Sequence, residues 1–547
     1  MIEVSRVSAG RARNAGRAAG RGGAAALLPA LERARQPFTT RSLATLLAAA
    51  ALASGSGCLV GPNYTTPKSD VAPQYLTSPA ASPKPLNAAD AYWWRTLNDP
   101  VLDGLVEAAY QNNLTLQLAG VRVLQARAQL SKSIGNLFPQ TQGAAGSIDW
   151  NQTNRPTTVN VATDNLGFTL SWEIDVWGKI RRGIESDRAT YLGTIASYDD
   201  ALVTVISDTA ANYVNLRTAE ERIRVARKNL ETQKESLRVA QVQFRYGEVS
   251  ELDVKQALTL VGQTQAQIPP LQNTLRQSKD ALAVLLGETP EAIDRRLSGE
   301  GKIPEAPAQA TVGIPRDLLR RRPDVRSAGY TAASQSALIG VAVASMYPSF
   351  SLNGAFGFAA TNLGPGSLSD LFTWQSRVAS AGASFFFPIF NYGRLVNQVR
   401  VQDAQFQEAV LNYQNVVLNA QREVEDGLSA FETSREAQTN LETAAAAAAR
   451  STELSLLQYK AGEVTYTTVL TSEQSELAIE DSLASTRGNV VLGLISVYRA
   501  LGGGWEIRGD ADVVSDEVKA EMARRTDWGR MLEVAQHMPA QSPVEEP

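Results

Sequence analysis

The chain holds one cysteine and one histidine in 547 residues. No disulfide can form within it. The Cys and His clusters that bind structural zinc or carry Cys/His catalysis have no raw material here, and no metal or cofactor is expected. No run of about 18 uninterrupted apolar residues occurs after residue 62, so no membrane-spanning helix is expected there. Basic charge is lacking as well. The net charge is −4, and residues 1–41 carry eight Arg against two Glu, which leaves −10 for the remainder. A nucleic-acid partner is not expected on that balance. Asp99, Asp175 and Asp324 fall in separate elements, and no nucleophile stands beside a base, so an enzyme is not expected.

What the chain has is itself, twice. Phe244-Arg245-Tyr246-Gly247-Glu248-Val249-Ser250 returns as Tyr459-Lys460-Ala461-Gly462-Glu463-Val464-Thr465. Trp177-Gly178-Lys179-Ile180 returns as Tyr392-Gly393-Arg394-Leu395, and Leu286-Gly287 as Leu501-Gly502. All three matches share an offset of 215 residues. That period is far longer than a solenoid repeat, so each copy holds several elements.

The N-terminus is an address. After Arg41 an apolar run, Leu43 to Ala53, leads to Ser54-Gly55-Ser56-Gly57-Cys58. A basic flank, an apolar stretch and small residues make a secretory signal. Small residues ending at the chain's one Cys resemble a bacterial lipobox, so Cys58 is the expected lipidation site. The expected organisation is 1–57 extension and signal, 58–95 anchored extended segment, 96–310 first repeat, 311–505 second repeat and 506–547 a polar, loosely ordered tail.

Each repeat changes period along its length. Leu166, Phe168, Leu170, Trp172, Ile174 and Val176 alternate with Gly167, Thr169, Ser171, Glu173 and Asp175, which predicts a strand with one apolar and one polar face, long enough to cross a bilayer. A weaker strand precedes it near Ile148 and Trp150. The second copy repeats the pair through Phe350, Leu352, Phe356 and Phe358, then Ala383, Phe385, Phe387 and Ile389. A very long helix follows each second strand. Ile195, Leu202, Thr209, Leu216, Ile223, Leu230, Leu237 and Phe244 fall seven apart, a coiled-coil stripe, and Val410, Val417, Val424 and Phe431 begin its counterpart. Gly247 and Gly462 end these helices, and return helices follow from Glu251 to Leu286 and from Tyr466 to Leu501. Pro269-Pro270 is expected to interrupt or kink the first of them.

Two copies supply four membrane-type strands. Four cannot close a barrel, and an open edge in lipid is not viable, so the chain must oligomerise through its sheet. An eight-stranded dimer would be filled by its own side chains, whereas a trimer of twelve strands has a lumen. Strand count therefore favours a trimer.

Several motifs carry a resemblance to the outer membrane factor family, the TolC/OprM-type channels. They are Cys58-Leu59-Val60-Gly61-Pro62-Asn63-Tyr64, Trp93-Trp94 with Leu97-Asn98-Asp99-Pro100, Trp172-Glu173-Ile174-Asp175-Val176-Trp177-Gly178-Lys179, Arg321-Arg322-Pro323-Asp324-Val325 and Pro388-Ile389-Phe390-Asn391-Tyr392-Gly393-Arg394. The chain most resembles the NodT-type lipoproteins of RND efflux pumps. The resemblance implies an α+β membrane protein: a homotrimer with a 12-stranded outer-membrane β-barrel continuous with an α-helical periplasmic tunnel. It implies a periplasmic adaptor and an inner-membrane RND pump as partners, and outer membrane lipids around the barrel. Carried over by position, Tyr246, Gly247, Glu248 and Val249, with Gly462, Glu463 and Val464, form the adaptor-docking tip. Tyr459, Thr468, Thr471, Glu473 and Asp253 fall at the periplasmic gate. Relatives often carry an acid where this chain has Thr471, so weak cation selectivity is expected; Glu473, two residues on, faces another side of the helix. Type I protein secretion through the same conduit is the second reading. A purely structural coiled-coil lipoprotein, which has no use for four lipid-compatible strands, is the third.

Overall fold

A computed structural model describes residues 58–73, 75–76, 88–154, 158–299, 301–307, 321–363 and 368–533. The signal sequence and its cleavage point lie outside the described residues.

The described elements are α1 (Pro100–Asn112), α2 (Leu114–Gly135), β1 (Thr141–Thr153), β2 (Val159–Ile174), α3 (Lys179–Arg245), α4 (Glu251–Leu286), α5 (Pro290–Arg296), α6 (Pro323–Ala344), β3 (Ser349–Thr361), β4 (Arg377–Phe386), α7 (Arg394–Lys460), α8 (Tyr466–Ala500) and α9 (Asp516–Arg525). The duplication is explicit: a helix, two strands, a 67-residue helix and a return helix occur twice. At 1.5 Å per residue, α3 and α7 are each roughly 100 Å long. The heptad stripe is buried along the middle of α3, at Leu202, Thr209, Leu216, Ile223 and Leu230. On α7, Val417, Val424 and Phe431 are buried in the same way.

Side-chain caps fix where the long elements begin. The Asp175 carboxylate accepts from Ile180 N at 3.0 Å and Arg181 N at 2.9 Å, satisfying two free amides at the start of α3. Asp99 accepts from Val101 N and Leu102 N at the start of α1 and from the Tyr213 hydroxyl at 2.6 Å. Asp324 pairs with Arg322, which also donates to Ala500 O and Glu423. The three acids thus hold the frame together. The main core lies where Trp93 and Trp94 meet α1, α3 and the ends of α4 and α8, with Trp93 stacked on Tyr498 at 5.4 Å.

Three features differ from expectation. Helix α4 runs unbroken through Pro269-Pro270. Both prolines lie on its exposed side, where water can satisfy the carbonyls they free. The described part of the segment after residue 505, up to Glu533, is folded rather than loose and includes α9. Arg508 pairs with fully buried Asp199, while Val514 and Met522 pack on Leu124 of α2. Finally, β2 begins at Val159, before the alternation, and β4 ends at Phe386, leaving Phe387 and Ile389 outside it.

Candidate functional site

The four strands form one antiparallel sheet in the order β1-β2-β3-β4. Residues opposite one another share a face, so the register sorts the side chains. One face carries Ile148, Trp150, Leu166, Phe168, Leu170, Phe356 and Phe385, all exposed. The other carries Ser147, Asn165, Thr169, Ser171, Asn353 and Ser384, joined across strands: Ser171 Oγ donates to Asn353 Oδ1 at 2.8 Å, and Asn353 Nδ2 donates to Ser384 Oγ at 3.3 Å. An apolar face outward and a hydrogen-bonded polar face inward is what lipid on one side and water on the other require. Gly167 opposite Gly357 lets β2 and β3 approach closely, since a Cβ on either would meet the other's backbone. Among the described residues, β1 and β4 are each paired on one side only.

At the far end of the helices, the two turns have the same hydrogen-bond pattern. Glu248 N donates to Gln243 O and Gly247 N to Phe244 O; Glu463 N donates to Gln458 O and Gly462 N to Tyr459 O. Gly247 at φ +81° and Gly462 at φ +76° supply the left-handed residue these Schellman caps demand. Tyr246, Glu248 and Glu463 project into solvent. Val249 and Val464 instead pack, half-buried, into a tip core of Val239, Ala257, Tyr459, Tyr466 and Val469. Tyr459 sits edge-on to Tyr466 at 5.3 Å and points its hydroxyl at Asp253 Oδ2 from 3.5 Å, the long limit of a hydrogen bond. Burial first, then the Asp253 carboxylate, push the Tyr459 phenol up to about 12, so it stays protonated and able to donate.

The remaining gate residues separate. Thr468 and Thr471 are exposed, and the Thr471 hydroxyl donates back to Thr467 O and Thr468 O at 3.0 Å each. Glu473 is buried in the seam between α8 and α3 and accepts from the Ser236 hydroxyl. Its other oxygen has no hydrogen-bond partner among the described residues. Burial raises its carboxyl to about 7, with Ser236 pulling down and Glu476 pushing up. Tyr466 and Ser236 complete this part of the site and did not stand out in the sequence. The stripe Tyr466, Val469, Glu473, Glu476 at spacings of three and four was the available signal.

At the opposite end, exposed Cys58 is followed by a docked strap. Val60 N donates to Trp177 O at 3.2 Å. The buried Arg182 guanidinium donates to Val60 O, Gly61 O and Asn63 Oδ1 at 3.1, 3.2 and 2.8 Å. Lower down, α7 holds the same strap. Gln414 donates to Lys68 O, Gln421 both donates to Asp70 O and accepts from Ala72 N, and Glu425 accepts from Leu76 N. In its described part up to residue 76 the strap carries no helix or strand and is fastened to α3 and α7, whereas Ala88–Leu97, most of which was expected to be extended, forms a 3-10 helix.

A two-faced sheet with open edges, carried on helices of this length behind an anchored strap, defines a subunit of an outer-membrane channel. The chain belongs to the family described as outer membrane efflux protein, whose profile matches residues 105–288 and 314–503. It is similar to the cation efflux system protein CusC of Escherichia coli O6:H1, at 28% identity over 464 residues, covering 82% of this chain and 96% of that protein. Nodulation protein T of Rhizobium leguminosarum bv. trifolii is 29% identical over 431 residues, covering 78% and 91%. The solved outer-membrane channel OprN superposes with a TM-score of 0.77 at 30% identity, covering 82% of this chain and 100% of the other. The protein is thus an outer membrane efflux channel component and not an enzyme, as the resemblance implied.

Proposed function

We propose that three copies close a twelve-stranded barrel and form the passive exit duct of a tripartite RND efflux pump for drugs and other small toxic compounds. The observation that carries this reading is the sheet: lipid-compatible on one face, polar on the other, and open at both edges. An adaptor docks on the exposed turn residues Tyr246, Gly247, Glu248, Gly462 and Glu463, with Val249 and Val464 setting the shape of the turns from beneath. Acylation of Cys58 anchors the strap in the outer membrane, several acyl chains giving firm attachment where one would be marginal. Loss of labelled-palmitate incorporation in Cys58→Ser checks this; undiminished labelling refutes it.

The test of the function is deletion followed by a survey of susceptibility to drugs, solvents and metal cations. Hypersusceptibility is expected. Unchanged susceptibility throughout, with loss of a secreted protein, would overturn efflux in favour of type I secretion.

The gate lies where Tyr459 of α7 reaches Asp253 of α4, linking the two hairpins, with Thr468 and Thr471 exposed on the neighbouring turns of α8. In bilayer recordings Tyr459→Phe should raise the open fraction. Thr471→Asp places three carboxylates around the aperture and should raise cation over anion permeability by roughly three- to tenfold. Selectivity that did not move would remove Thr471 from the aperture.

A further inference from the structure

The lipid-compatible face of the sheet ends in a cation. On that face β2 carries Ile174, Trp172, Leu170, Phe168 and Leu166, an apolar run of roughly 26 Å at about 3.3 Å per residue. Tilted by about 40°, it stands roughly 20 Å tall, against an apolar band of about 25 Å in outer-membrane barrels. The register sets Leu166 beside Phe358 and Phe358 beside Arg377, the first residue of β4. Arg377 therefore stands on the lipid side at the upper edge of the band. This is the end of the sheet away from the helices, and in an outer membrane it meets the outer leaflet.

The turn before β4 holds Arg377 in place. The guanidinium lies over the Trp374 ring, 4.6 Å from its centroid, and Nη1 donates to Trp374 O at 2.6 Å. Among the described residues no carboxylate pairs with it, and its Nε–Nη2 edge donates to nothing. Strand β1 has one acid, Asp149, and the register puts it on the polar face opposite Thr163. Asp164 shares the lipid side one row further out, with its Oδ1 buried. Trp374 is 64% exposed but fixed from behind. Asp370 O accepts from Thr373 N, Thr373 Oγ1 and Ser376 Oγ at 2.9, 2.8 and 2.7 Å, and the turns 368–370 and 374–376 rest on β3. Ring and guanidinium are thus preorganised, so little freedom is lost when a ligand binds.

We infer that Trp374 and Arg377 form a clip for a phosphorylated glycolipid of the outer leaflet. A cation at the edge of hydrocarbon is costly without a counter-charge, and the described residues supply none, so the anion must come from the lipid. The open Nε–Nη2 edge is the planar fork that takes two oxygens of one phosphate. The exposed indole stands at the level where aromatic side chains settle, between head group and acyl chain, and its flat apolar face suits a sugar ring. An ordinary aromatic belt has no need of the cation. A zwitterionic phospholipid brings an ammonium beside its phosphate, which repels the guanidinium. The inference rests on the outer-membrane location and not on the efflux reading.

The test is native mass spectrometry of the full chain, titrated with diphosphoryl lipid A, with the same lipid lacking its phosphates, and with phosphatidylglycerol. A hydrogen-bonded pair with a charged group should make diphosphoryl lipid A bind at least roughly tenfold more tightly than either of the others. Arg377→Gln should lower its binding to the phosphate-free level, with Arg377→Lys between the two. The melting temperature of each variant is measured alongside. Equal binding of the two lipid A forms by the unsubstituted protein overturns phosphate recognition, and this comparison needs no variant. Undiminished binding in Arg377→Gln at an unchanged melting temperature overturns the clip. Phosphatidylglycerol bound as tightly as diphosphoryl lipid A overturns the glycolipid in favour of any anionic lipid.

Discussion

Replacing Gly61 with valine is expected to release the strap behind Cys58 from the tunnel wall. Gly61 sits at φ +91°, where an L side chain costs about 1–2 kcal/mol and a β-branched one more. A Cβ there would lie 2.4 Å from Gly340 Cα and 3.0 Å from Gly340 N, both backbone atoms of α6 that cannot swing aside. Displacing this turn also removes Val60 O, Gly61 O and Asn63 Oδ1 from Arg182, a guanidinium only 1% exposed, at about 1–3 kcal/mol for each buried partner lost. The sum is at least about 4 kcal/mol, or roughly a thousandfold in the ratio of docked to free strap. Hydrogen exchange reads it directly. The Val60 amide, which donates to Trp177 O, should lose nearly all protection. The Ala72 and Leu76 amides should lose less, because Gln421 and Glu425 hold them independently of Arg182. Arg182→Lys, which keeps the charge but not the planar fork, should fall between. Full protection of Val60 in Gly61→Val would show that the clamp does not register the anchor.

Features set by local periodicity were legible in the sequence. The heptad from Ile195 to Leu237 specified α3 because a seven-residue apolar repeat has no other stable use, and the shared offset exposed the duplication. Features set by a distant partner were not. The end of β4 was legible in part: Pro388 has no amide to give a ladder, and β4 stops two residues before it at Phe386. Order after residue 505 depends on Arg508 finding Asp199 and on Met522 finding Leu124, contacts spanning hundreds of residues in a stretch that reads as polar. Arg181 and Arg182 are adjacent and alike in sequence, yet only Arg182 is buried and clamps the strap. Glu473 is an intermediate case. Its spacing from Tyr466 and Val469 already put it on the packed face of α8, away from Thr471, but the partner it meets there, Ser236, lies 237 residues away in the chain.

Glu473 is expected to make the seam between the two hairpins weaken as pH rises. Its carboxyl meets the Ser236 hydroxyl, and its other oxygen finds no partner among the described residues. The charged and titratable groups around it are Glu476 and Tyr466 on its own helix, with Lys228 of α3 turned toward Glu476 at 3.9 Å and Glu480 at 2.7 Å. No cation reaches Glu473 itself in these contacts, so burial dominates and holds the group at about 7 against an ordinary 4.5. The sign follows. Between those two values the folded seam keeps a proton that the unfolded chain has released. Stability is therefore full below about pH 4.5 and falls as pH rises through 7, by about 3 kcal/mol in all at 1.36 kcal/mol per unit. Glu473→Gln keeps the shape without the titration. The stability difference between native protein and variant should drift by that amount between pH 4.5 and 8, against the native protein, while Ser236→Ala moves the midpoint upward. A difference independent of pH would mean that Glu473 does not titrate there. Because Tyr466 and Val469 belong to the turns of α8 just before Glu473 and pack into the tip core, loosening of the seam should reach the tip first. Protection of the amides across 464–470 should therefore fall as pH rises from 4.5 through 7 before that of the rest of α8 does.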